Sequence, residues 1–128
     1  MRNFTRSRVR SFGHAFQGWW YVLRTQRNAW LEVAIACGVF AVSIWLPLDP
    51  VRWAIIVLTA ALVFAAEFFN TAVEVMVDLV SPEHHPLAKI AKDVAAAAVL
   101  VSAFGALVIG LFLIGPPFLS RLQLLLAR

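Results

Sequence analysis

Residues 94–114 form a run of 21 positions without one ionisable side chain. At a rise of 1.5 Å per residue, a helix of that length covers about 31 Å, the thickness of a bilayer's hydrocarbon core. Two more apolar runs, at about 29–48 and 53–80, are long enough to do the same. Composition supports the bilayer as solvent. Of the 128 residues 62% are hydrophobic and 14% charged, whereas soluble domains run nearer half and a quarter. The expected fold is an all-α membrane protein of one domain, 1–128, with three transmembrane helices.

The connections carry the expected punctuation. Leu46-Pro47-Leu48-Asp49-Pro50 reads as a tight link between the first two spans, and Gly115-Pro116-Pro117 as the place where the third helix stops or bends. Before the spans, residues 4–24 set Val9, Phe12, Phe16, Trp19, Trp20 and Leu23 at helical spacing, with Arg6, Arg8, Arg10 and Gln17 mostly on other faces. That pattern predicts an amphipathic helix lying in the membrane interface, the alternative being a fourth bundle helix. An arginine-rich start also suggests a secretory signal, but here the apolar run begins only near residue 29.

Charge gives the orientation. Arg2, Arg6, Arg8, Arg10, Arg24 and Arg27 precede the first span, and Lys89 and Lys92 lie between the second and third. Arg52, Arg121 and Arg128 fall on the other side, which predicts a cytoplasmic N-terminus. Trp30, Trp45 and Trp53 sit at span ends, as interfacial aromatics do. Basic residues grouped beside a span read as topology and lipid contacts, so no nucleic-acid partner is expected. Cys37 is the single cysteine and excludes an intrachain disulfide.

The second span carries the chemistry. Glu67, Asn70, Thr71, Glu74 and Asp78 fall at offsets 0, 3, 4, 7 and 11, one face of a helix, while Phe68, Val73, Val75 and Val77 look elsewhere. An ionised acid at mid-span costs about 2.5–3.5 kcal/mol, against a return of about 0.3–0.6 kcal/mol per leucine. With no Lys or Arg inside any span to neutralise them, the acids point to a metal-and-proton site. Five of the seven acids lie between Glu67 and Asp93, and the loop Ser81-Pro82-Glu83-His84-His85-Pro86 follows directly. Carboxylates beside Lys89 and Lys92 suit Mg-bound phosphate; adjacent histidines suit one zinc ion poorly. The third span repeats Ala98, Ser102, Ala106 and Gly110 at four-residue spacing, a small-residue seam for helix packing and self-association.

Two stretches resemble a known family. Glu67-Phe68-Phe69-Asn70-Thr71-Ala72-Val73-Glu74 with Val77-Asp78, followed by Ala91-Lys92-Asp93-Val94-Ala95-Ala96-Ala97-Ala98-Val99, is similar to the small prokaryotic integral-membrane diacylglycerol kinases. His85-Pro86-Leu87-Ala88-Lys89-Ile90-Ala91-Lys92-Asp93 resembles their undecaprenol kinase branch. The resemblance implies three transmembrane helices and a surface helix, a homotrimer with shared active sites, and transfer of the ATP γ-phosphoryl group to a membrane lipid alcohol, undecaprenol or diacylglycerol. It implies Glu67 as general base, Glu74 as magnesium ligand, and Asn70 and Asp78 as supports for that face. Gln26, Glu74, Glu83, His84, His85, Lys92 and Asp93 would contact ATP, in the bacterial inner membrane.

One position departs from the family, which commonly has a second metal-binding glutamate where this chain has Gln26. Glu32, six residues on and on another face, is a poor geometric substitute. Two rival functions follow from the same residues: a small proton- or cation-coupled transporter, and a non-catalytic lipid-binding member of the fold. A soluble nucleotide-binding fold is not expected, since Gly105 to Gly110 has phosphate-loop spacing but leads into Leu111-Phe112.

Overall fold

The structure is a computed structural model that describes the backbone of residues 2–83 and 85–127 and the side chains of 10–83 and 85–127. The expectations for Val9, Arg2, Arg6 and Arg8 as side chains, and for His84 and Arg128, therefore lie outside the described residues. Four helices follow in order: α1 (Arg2–Thr25), α2 (Arg27–Trp45), α3 (Pro50–Val80) and α4 (Pro86–Leu126). The last three are long and apolar enough to cross a membrane. Among the described residues there is no strand.

Local chemistry sets each boundary. Asp49 caps α3, its Oδ1 accepting from the backbone N–H groups of Val51 and Arg52 at 3.0 Å each, with Pro50 pre-set for the first turn. His85 caps α4 in the same way, Nδ1 accepting from the Leu87 N–H at 3.2 Å ahead of Pro86. Helix α2 ends earlier than the apolar run implies, at Trp45, where Leu46 N–H closes back on the Val42 carbonyl at 3.1 Å and Leu46 is buried in the link to α3.

The largest departure is α4. Its 41 residues run through Pro116 and Pro117, where the sequence predicts a stop or bend. Two prolines remove two amide donors, a loss that a helix in an apolar setting tolerates when neighbours support it. Packing around the pair holds the last turns in place: Phe118 meets the edge of Trp45, the Arg121 guanidinium lies 5.5 Å from that ring's centroid, and Ser120 Oγ adds a second donor to the Pro116 carbonyl at 3.0 Å.

Helices α3 and α4 form the most extensive pairing, with α2 and α1 against α3. The half-buried positions Ala95, Val99, Ser102, Ala106 and Gly110 lie at three- and four-residue steps along α4. Ala98, the first member of the predicted seam, is exposed. Helix α1 buries Val22 and sets Trp19 against Phe64 and Phe68 of α3, with ring centroids 5.5 and 4.9 Å apart. Phe12, Phe16 and Trp20 remain exposed, as the amphipathic reading expects. The fold is apolar outside and polar within: the two most deeply buried side chains are Glu67 and Ser43.

Candidate active site

The helical period of α3 brings its polar stripe inward. Glu67 is 1% exposed, Asn70 7% and Thr71 3%, and Glu74 is half-buried one turn further on. Thr71 Oγ1 donates to the Glu67 carbonyl at 2.9 Å, so its hydroxyl is satisfied within the helix. Glu67 Oε1 and Asn70 Oδ1 are buried and have no hydrogen-bond partner among the described residues. A buried oxygen left in this way costs about 1–3 kcal/mol, so neither is placed there by the stability it adds.

Glu74 is held from two sides. Gln26 Nε2 donates to its Oε2 at 2.7 Å and Asn70 Nδ2 to its Oε1 at 3.2 Å. Gln26 is the one residue between α1 and α2, so the bond ties that corner to α3 across 48 positions of sequence. One turn beyond Glu74, Asp78 Oδ1 accepts from Lys92 Nζ at 2.5 Å, joining α3 to α4, and Lys89 pairs with Asp93 on α4 itself. From Glu67 to Asp78 the column spans about 16 Å along the helix axis.

The structure therefore brings together Gln26, Glu67, Asn70, Glu74, Asp78 and Lys92. Asp93 sits beside them, paired to Lys89. Glu83 and His85 are exposed in the link to α4 and join the column through no hydrogen bond or ion pair among the described residues. His85 is occupied as a helix cap.

Glu32 reads from the sequence as a poor substitute for an acid at position 26. It is no partner for Gln26, but its Oε2 is buried without a hydrogen-bond partner and the side chain lies within electrostatic reach of Glu67, which in turn senses Glu74. The only sequence signal was an acid inside an apolar run, and which face it meets is a tertiary fact.

Around Glu74 the donor set is one carboxylate and the free oxygen of Asn70. Among the described residues no group of three or more His, Cys, Asp or Glu gathers to hold a resident metal. Magnesium uses one or two protein carboxylates and completes its shell with phosphate and water, so these residues fit an ion that arrives with a nucleotide.

Three helices long and apolar enough to span a bilayer, with buried acids on the second, define an integral-membrane protein with a polar interior. The sequence profile of prokaryotic diacylglycerol kinase matches residues 13–114, and the chain belongs to that family. It is 43% identical to the undecaprenol kinase of Bacillus subtilis (strain 168) over 115 residues, 90% of this chain and 94% of that one. It is 42% identical to a diacylglycerol kinase of Synechocystis sp. over 111 residues, 86% of this chain and 63% of the relative. With the diacylglycerol kinase of Escherichia coli (strain K12) it shares 36% identity over 72 residues, 56% and 53% of the two chains. The protein is a multi-pass bacterial membrane enzyme.

Proposed function

We propose that this lipid kinase transfers the γ-phosphoryl group of ATP to the hydroxyl of a polyprenol, undecaprenol or a close analogue, at the cytoplasmic face of the inner membrane. The observation that carries the reading is the buried Glu67 carboxyl, with an oxygen free, in a polar stripe of α3 whose other end, at Asp78, pairs with Lys92. The relative matched over nearly its whole length is an undecaprenol kinase, which favours the polyprenol over diacylglycerol.

In the reaction the lipid hydroxyl oxygen attacks the γ-phosphorus, the bond from that phosphorus to the β-phosphate oxygen breaks, and ADP leaves. The hydroxyl proton passes to Glu67, the base. A water-poor site keeps the carboxylate poorly solvated and therefore basic toward an alcohol. Glu74 and the free Asn70 oxygen would hold magnesium, which when bound offsets charge on the phosphates. Lys92, released from Asp78, supplies a cation for the nucleotide, with Asp93, Glu83 and His85 as its further contacts. Asn70 and Asp78 keep the face in order. The basic residues before α2 and at the start of α4 support a cytoplasmic N-terminus, and a homotrimer would cover the apolar faces that one chain leaves open.

The test is the purified chain in lipid nanodiscs, given radiolabelled ATP with undecaprenol and diacylglycerol in parallel. Label in the polyprenol is expected. Label in diacylglycerol alone would overturn the substrate assignment, and no label in either, with cation flux through proteoliposomes, would replace the kinase by a transporter. Glu67→Gln is expected to lower turnover at least about 100-fold while the assembly stays intact; full activity would remove Glu67 from the base role.

A further inference from the structure

Gln26 does something its position in the chain does not call for. It is the N-cap residue of α2, where a short polar side chain usually satisfies a first-turn N–H, yet it makes no capping hydrogen bond. Its amide reaches instead to α3 and donates to Glu74 Oε2 at 2.7 Å. With Asn70 on Oε1, each oxygen of Glu74 is held by a neutral amide, and no lysine or arginine pairs with it among the described residues.

From this geometry we infer that Gln26 is the positioning residue for Glu74, an amide clamp that stands in for a cation. The nitrogen must face the carboxylate, because the amide oxygen turned toward it would set two acceptors against each other at that distance. A donor to a charged oxygen makes a short, strong bond without adding net charge. Glu74 is therefore held ready with no metal present. A divalent ion would gain little there until phosphates complete its shell. The inference rests on the kinase reading only for the source of those phosphates. A carboxylate at position 26 would have the opposite character, two like charges that only a shared proton or a cation could reconcile.

The experiment uses the whole chain in nanodiscs without nucleotide, with Mn2+ as an electron-paramagnetic probe of the magnesium site and thermal unfolding in chelator against Mg2+. The native chain should bind no Mn2+ at sub-millimolar concentration and unfold at the same temperature in both buffers. Gln26→Glu should unfold roughly 2–8 °C lower in chelator, recover with Mg2+, and bind roughly one Mn2+ per chain. Gln26→Met, which loses the donor without gaining charge, should unfold lower in both buffers and not respond to Mg2+. Nucleotide-free Mn2+ binding by the native chain would overturn the clamp, as would a Gln26→Glu variant indifferent to Mg2+. Should Gln26→Glu fail to fold, the native chain and Gln26→Met still decide. An active kinase that binds Mn2+ unaided ends the clamp and leaves the proposed reaction standing. A chain that labels no lipid but behaves as described does the reverse.

Discussion

A single buried acid can weaken the fold that carries it, and Glu32 is such a residue. Its Oε2 is buried, unpartnered and near a second carboxyl, a combination that destabilises the folded chain. Glu32→Leu is expected to raise the stability of the protein by about 1–3 kcal/mol, the range for removing an unsatisfied buried polar group, and thermal unfolding in nanodiscs would check it. Equal or lower stability would mean that Glu32 finds a partner in the assembled enzyme. At this scale the sequence was legible where the signal was periodic: Glu67, Asn70, Thr71 and Glu74 share a face because a helix repeats every 3.6 residues. The Gln26–Glu74 bond was not legible as a bond, because 48 intervening positions fold before the two groups meet. The Glu32–Glu67 proximity was missed for the same reason.

Helix ends are decided by a few polar atoms, and Asp49 is the clearest case. The backbone N–H of Arg52, and then that of Val51, hold its carboxyl below the usual aspartate range. A depressed acid contributes stability above its unfolded value and loses it as pH falls through the lower folded value. The link between α2 and α3 should therefore loosen in acid, below about pH 4. Hydrogen exchange at Val51 and Arg52 would rise there in the native chain, remain low in Asp49→Asn, which caps without titrating, and be high at every pH in Asp49→Ala. Protection independent of pH in the native chain would contradict the cap. Neither start was read from the sequence, which sets the second apolar run from about residue 53 and the third from 94, whereas α3 begins at Pro50 and α4 at Pro86. Pro116 and Pro117, read as the place where the helix stops or bends, do not stop α4, which continues past them to Leu126 with Phe118 and Arg121 against Trp45.

For the whole molecule, the distribution of burial settles what surrounds it. Helix α4 has no buried residue, and Phe104, Leu107, Leu111 and Phe112 are exposed along it. Lipid or other copies of the chain must cover these faces, as composition alone foretold, whereas which copies meet is a property no single chain encodes legibly. Crosslinking in a native-like bilayer is expected to trap trimers; a ladder ending at monomers would remove the shared site from the proposed mechanism. The join between α1 and α2 has a mechanical consequence at this scale. Only Gln26 separates a 24-residue rod from the first span, and the same residue grips Glu74. The rod is about 36 Å long. Each 10° of rotation at the pivot would sweep its far tip through about 6 Å by that length, a lever arm that the packing of Trp19 on Phe64 and Phe68 holds in place.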